Sequence, residues 1–206
     1  MVNSGAIAAT SLAPGSTVED KWRFILDGLS RFAGRAVTMN EAVLASASES
    51  NSRNQAIGHL LLSCGQIAIE PADAVELYTR QCSLNVTAKD LAVMGATLAD
   101  GGVNPLTKKR VIDAESCKFT LAVMAAADLY ETSGDWLYDV GLPGKSGIGG
   151  GIVTVSPGKG GFGACQGAIG RALSFGAPGL EPVRFASGAM TSGGAFAPKY
   201  STAGPR

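Results

Sequence analysis

The stretch Val140-Gly-Leu-Pro-Gly-Lys-Ser-Gly-Ile-Gly-Gly-Gly-Ile152 decides how this chain is read, because several glycine-dependent chemistries compete for it. Asp139 to Ser146, DVGLPGKS, matches a phosphate-binding P-loop except that Asp139 stands where the first glycine belongs. A P-loop also needs a helix after its Lys-Ser pair, so that N-terminal amides face the phosphate. Here Gly147, Gly149, Gly150 and Gly151 follow, then a strand-like run to Ser156, which argues against nucleotide hydrolysis. Further on, Gly158, Gly160 and Gly163 satisfy G-x-G-x-x-G. Too little patterned chain remains to complete a dinucleotide-binding fold, so a glycine-rich turn between two strands is the better reading.

Upstream of this stretch the pattern is helical. Residues 16–33 form a helix opened by a Ser16/Glu19 capping box, with Val18, Trp22, Ile25, Leu29 and Phe32 on one face and Gly34 as its stop. Further helices are predicted over Asn54–Ser63, over Pro71–Cys82 with Val75 and Tyr78 on one face, and from a Thr87/Asp90 cap to Gly101-Gly102. That last helix is expected to carry Leu91, Met94 and Leu98 inward. Asp113 caps a fifth helix reaching Tyr130. The period then changes: Trp136–Val140 and Gly151–Ser156 read as strands on either side of the glycine-rich turn. Helices followed by strands suggest an α+β domain rather than alternating βαβ units.

Composition narrows the functional classes. The 206 residues carry 17 Lys plus Arg against 17 Asp plus Glu, so the basic surplus of a phosphate-tracking nucleic-acid binder is missing. No apolar run reaches the roughly 20 residues of a membrane span. The N-terminus MVNSGAIAATSLAPG lacks a basic region, so no signal peptide is expected. Cys64, Cys82, Cys117 and Cys165 are widely spaced and read as reduced, buried thiols in a cytoplasm, not as a disulfide or zinc framework. The single histidine, His59, reads as packed on its helix, and one histidine supplies neither a His-rich metal site nor the base of a G-x-S-x-G triad, a motif the chain lacks. No metal and no cofactor are expected. From Ala164 to Arg206 glycine, alanine, proline and serine fill most positions and no period survives, so residues 164–206 read as a weakly ordered tail on a domain spanning 1–163.

Lys145-Ser146-Gly147 at a strand start resembles the K-T-G element of serine β-lactamases and penicillin-binding proteins, whose strand lines the active site with its backbone. The nucleophile of that chemistry is the serine of a helical S-x-x-K. The single S-x-x-K here, Ser156-Pro-Gly-Lys159, has proline and glycine in its middle and lies downstream of the strand, so it is read as a decoy. More of the chain carries a wider likeness. The segments are MVNSGAI (1–7), SRNQAIGHLL (52–61), LYTRQCS-x-x-V-T (77–87), DLAVMGATLADGGVNPLT (90–107), Tyr130-x-x-Ser-Gly134 and VGLPGKSGIGGGI (140–152). In that order they resemble the glutaminase family, β-lactamase-like amidohydrolases that convert glutamine to glutamate and ammonia.

The resemblance implies a helical lobe packed on a mixed sheet and a set of roles. Asn3 matches the asparagine that contacts substrate near the nucleophile, and Asn54 and Tyr78 match positions that hydrogen-bond the amino-acid end of glutamine. Tyr130 matches the tyrosine that assists proton transfer at the catalytic serine, and Ile148 the residue whose backbone N–H helps form the oxyanion hole. L-glutamine and L-glutamate are the implied ligands, in a cytoplasmic homo-oligomer that binds neither nucleic acid nor membrane. Three departures stand beside this. The family's S-x-x-K and an upstream substrate-binding tyrosine precede its N-[AS]-G-A-I motif, where this sequence begins, so the domain is expected to lack its first strands and nucleophile helix. The family's substrate-binding glutamate, seven residues ahead of the asparagine, is Ala47 here; Glu49, two positions on, would sit about 200° around a helix. After Gly163 the tail replaces the expected closing strand and helix. The expectation is a fragmentary, frame-altered gene copy: an amidohydrolase by family, or a non-catalytic remnant that binds amino acid or pairs with an intact glutaminase subunit.

Overall fold

The computed structural model describes residues 2–127, 129–147, 149–165 and 168–173, the last of these segments by its backbone. In chain order its elements are α1 (Asn3–Ser11), α2 (Val18–Ala33), β1 (Thr38–Met39), α3 (Glu41–Glu49), α4 (Ser52–Ser63), α5 (Pro71–Cys82), β2 (Leu84–Asn85), α6 (Ala88–Ala99) and α7 (Ala114–Ala127). A 3-10 turn (Tyr130–Thr132), α8 (Ser133–Asp139), β3 (Gly144–Ser146), β4 (Ile152–Ser156), β5 (Gly160–Cys165) and β6 (Ala168–Leu173) follow. Strands β3 to β6 form a meander in which each neighbouring pair is antiparallel, and β1 and β2 make a separate two-stranded ladder. Helices on one sheet give the expected α+β architecture; the sheet is antiparallel in every described pairing because consecutive hairpins connect its strands.

α6 lies at the centre, packed against α2 and α7 on the helical side and against β4, β5 and β6 on the other. Its start is the Thr87/Asp90 capping box read from sequence. Its buried face is not the expected Leu91–Met94–Leu98 row, which is partly buried. Ala88, Ala92, Val93, Gly95, Ala96, Thr97 and Ala99 are the buried residues. Glycines explain the choice. A Cβ on Gly161 would collide with Ala96 N and the Ala92 carbonyl, and one on Gly163 with the Ala88 carbonyl and Ala92 N. Small residues on both elements let the helix backbone rest almost on the strand, so the glycine surplus of this region closes a helix–sheet seam.

A second cluster fills the helical lobe: Ile7, Ile67, Ala74 and Val75 are buried, with Ile57, Leu61 and Tyr78 packed against them. Ile7 is fully buried, and burying such a side chain contributes about 1.5–3 kcal/mol. It anchors α1, a helix whose small residues show too little amphipathic contrast to mark it in the sequence.

Five other expectations are corrected. The α2 capping box is Thr17 with Asp20, not Ser16 with Glu19: S-T-V-E-D offers two overlapping frames, and Ser16 Oγ instead donates to the Asp20 carboxylate at 3.2 Å. Trp136–Val140 is not a strand. Ser133–Asp139 is helical, and Trp136 Nε1 donates to the Leu142 carbonyl at 2.9 Å, so a tertiary anchor outweighs the β-prone composition. His59 is exposed on α4 rather than packed, and of the four free thiols Cys64 and Cys82 are exposed while Cys117 is buried. Finally, regular structure does not stop at Gly163. Ala164 and Cys165 complete β5, and Ala168–Leu173 adds β6 in a register of Gly163 with Gly170 and Gly161 with Ala172. Backbone ladder bonds need no apolar period, which is why the sequence hid this strand. The remainder of the expected tail, 174–206, lies outside the described residues.

Candidate active site

Three sequence-distant residues meet where α1, α4 and α5 converge. Asn3, at the first turn of α1, donates from Nδ2 to Asn54 Oδ1 on α4 at 3.0 Å. Tyr78 on α5 donates its hydroxyl to Asn3 Oδ1 at 3.3 Å. All three are partly buried. Burial pushes the Tyr78 phenol well above its ordinary range, with Cys82 and Tyr130 adding to the shift, so it stays a protonated donor at neutral pH. The close approach of α4 to α5 that permits this depends on Gly58, where a Cβ would press on Val75 and Pro71 at 3.1 and 3.3 Å.

Asn3 and Tyr78 open into a cavity of about 510 Å³. Phe119, Val123 and Met124 of α7 line it as well, together with Tyr130 and Lys145. Tyr130 has φ +60, a left-handed conformation that costs a side-chain-bearing residue on the order of 1 kcal/mol. Ser133 holds it there: its hydroxyl donates to the Tyr130 carbonyl at 2.7 Å and accepts the Leu129 N–H at 2.9 Å. The Y-x-x-S-G segment is therefore a clamp that aims one tyrosine ring. Lys145, in β3, places its ammonium 4.2 Å from the centroid of that ring. An apolar cavity with a half-buried phenol, a second phenol under a cation and the Asn3 carboxamide suits a small ligand that is apolar along its middle and polar at its ends.

The sequence-derived site is brought together in part. Asn3, Asn54 and Tyr78 join directly, and Tyr130 faces the same cavity. Ala47 is half-buried in α3, which packs against α5, and its methyl group supplies no charge. Ile148 lies outside the described residues. The downstream S-x-x-K forms the β4–β5 turn: Lys159 N donates to the Ser156 carbonyl at 2.9 Å and Gly158 has φ +72, the signature of a turn with Pro157 second and glycine third. Among the described residues, no group of three or more His, Cys, Asp and Glu is placed to hold a metal, and no helix is long and apolar enough to cross a membrane. Sequence reasoning named Lys145 for its K-S-G strand but not as a cavity residue, and it missed Asn51, which accepts Asn54 Nδ2 at 2.8 Å. The i, i+3 spacing of the two asparagines on one helical turn was the available signal.

The glutaminase family model matches residues 1–170. The chain belongs to the glutaminase family. Its likeness to "Glutaminase 2" of Yersinia pestis is 68% identity over 163 residues, covering 79% of this chain and 48% of that protein. The glutaminase of Mycobacterium ulcerans (strain Agy99) is 51% identical over 159 residues, 77% of this chain and 50% of that one. Among solved structures, a probable glutaminase, ybaS, superposes with a TM-score of 0.76 at 49% identity, covering 78% of this chain and 52% of its own. The Bacillus subtilis glutaminase YbgJ, in covalent complex with 5-oxo-L-norleucine formed from 6-diazo-5-oxo-L-norleucine, gives 0.75 at 30% identity, over 79% of this chain and 58% of that one. The chain thus spans about half the length of the curated glutaminases it matches.

Proposed function

We propose that this glutaminase-family site recognises L-glutamine and L-glutamate, in the service of side-chain amide hydrolysis to glutamate and ammonia through a serine acyl-enzyme. The hydrogen-bonded meeting of Asn3, Asn54 and Tyr78 beside the Tyr130 cavity carries this reading. Asn54 and Tyr78 hold the amino-acid end and Asn3 contacts substrate nearer the reacting amide. Tyr130 moves the proton between the serine hydroxyl and the departing ammonia, and the Ile148 backbone N–H stabilises the tetrahedral oxyanion. The covalent complex of the B. subtilis relative supports the nucleophilic route. The free thiols favour a reducing cytoplasm, and exposed Phe24, Phe119 and Tyr138 favour a homo-oligomer.

A second reading has its own support: a non-catalytic chain that binds amino acid or pairs with an intact glutaminase subunit. The lone S-x-x-K sits in a hairpin turn and Ala47 replaces the family's glutamate. One experiment tests both readings. Purified chain is incubated with L-glutamine, L-glutamate or D-glutamine, and melting temperature and released glutamate are recorded. The L-amino acids are expected to raise the melting temperature and the D-isomer to leave it unchanged. Glutamate release that Ser156→Ala leaves unchanged is the outcome of the hydrolytic reading, and its absence that of the non-catalytic one. Absence of any L-specific shift rejects recognition in both readings; sustained glutamate release rejects the non-catalytic one.

A further inference from the structure

Five polar side chains form a single file with one direction. Tyr78 OH donates to Asn3 Oδ1, Asn3 Nδ2 to Asn54 Oδ1 at 3.0 Å, and Asn54 Nδ2 to Asn51 Oδ1 at 2.8 Å. Asn51 Nδ2 then donates to Thr79 Oγ1 at 2.8 Å, and the Thr79 hydroxyl to the Val75 carbonyl at 2.7 Å. Asn51 occupies the N-cap position of α4, yet its side chain makes no capping bond, so the file is what it serves. Thr79 is 5% exposed, next to a fully buried Val75.

An asparagine amide turned by 180° exchanges its donor and acceptor at almost no steric cost, so something must choose the orientation. The two ends of the file choose. Running it backwards would withdraw the Thr79 proton from the Val75 carbonyl and turn the Asn3 nitrogen toward Tyr78, whose own proton would lose its acceptor. The observed direction keeps both end bonds.

We propose that Asn51 and Thr79 are positioning residues that fix the amide orientation of Asn54 and Asn3, so that the pair offers N–H donors to a carboxylate. Both amide oxygens are spent inside the file. Each amide nitrogen spends one hydrogen there and keeps a second, and a free N–H complements an anion and opposes a donor. The inference rests on the reading of Asn3 and Asn54 as substrate-binding and adds the group they select: the α-carboxylate of the amino acid.

The test uses the full chain with Thr79→Val, Thr79→Ser and Asn51→Leu. Valine keeps the shape of threonine and removes the acceptor, whereas serine keeps the hydroxyl. In ligand-free ¹⁵N spectra, the side-chain amide signals of Asn3 and Asn54 are expected to shift or double in Thr79→Val and Asn51→Leu and to hold in Thr79→Ser. Affinity is then compared for L-glutamine and its α-amide, in which the carboxylate is replaced by a carboxamide. Wild type and Thr79→Ser are expected to prefer the carboxylate about tenfold or more, and the other two variants to lose that preference. Unchanged amide signals in both Thr79→Val and Asn51→Leu, or retained carboxylate preference, would overturn the proposal. If wild type binds neither compound while the signals move as expected, the glutamine reading fails and the positioning role stands.

Discussion

At Asp90 a carboxylate only 5% exposed closes the α6 capping box with Thr87 and takes two hydrogen bonds from the Arg35 guanidinium, at 2.6 and 2.8 Å. Burial alone would raise its pKa. The Arg35 bonds and those from the Thr87 amide and hydroxyl outweigh burial and pull it from 3.8 down to about 2. A depressed folded-state pKa stabilises the native chain above the unfolded value, and that stability drains away as pH falls from about 4 through 2. Arg35 is 42% exposed, so solvent screens part of the pair and the contribution is about 1–2 kcal/mol. Urea midpoints for wild type and Asp90→Asn at pH 6 and pH 2.5 check this. Wild type is expected to be the more stable at pH 6, and the gap is expected to shrink at pH 2.5; a constant gap would exclude the linkage.

Elements carry the helix–sheet seam, and Gly161→Ala tests it. The new methyl would strike the α6 backbone at Ala92 and Ala96, atoms that cannot rotate aside, so helix and sheet must separate. A loss of about 2–4 kcal/mol is expected, read from the denaturant midpoint. The same change at Gly149, where a Cβ would meet nothing within 4 Å, is expected to cost under about 1 kcal/mol. This contrast also marks what the sequence could and could not disclose. α5 was legible to the residue because Pro71 opens it, and α6 because Thr87 and Asp90 cap it. Which face of α6 is buried was not legible, since the answer lies in glycines of a strand far along the chain. Asn3, Asn54 and Tyr78 were legible through family resemblance alone: separations of 51 and 75 residues leave no local pattern. Asn51 and Lys145 stayed hidden as site residues because their roles are defined by contacts rather than by motif.

For the whole molecule, the extent of the sheet sets where the chain can be shortened. β6 pairs with β5 along its length and packs against α6, so it belongs to the structure that supports the seam. A chain ending at Cys165 is expected to melt several degrees below one ending at Leu173, measured by circular dichroism, because the shorter chain exposes the β5 edge and the flank of α6. Equal melting temperatures would show that β6 adds nothing to stability and would restore Gly163 as the working boundary.

The α6–β5 seam also imposes an order on synthesis. The chain leaves the ribosome N-terminus first, and roughly 65 residues separate Ala96 from its partner Gly161, so at 5–20 residues per second β5 follows α6 by about 3–13 s. α1, α4 and α5 can close their own cluster in that interval, because every member of it has already emerged. The alanine face of α6 has no such local partner and waits uncovered until the glycine strand arrives. A nascent chain stalled between α7 and β5 therefore presents a half-clothed helix, the natural substrate for a chaperone that grips short apolar segments.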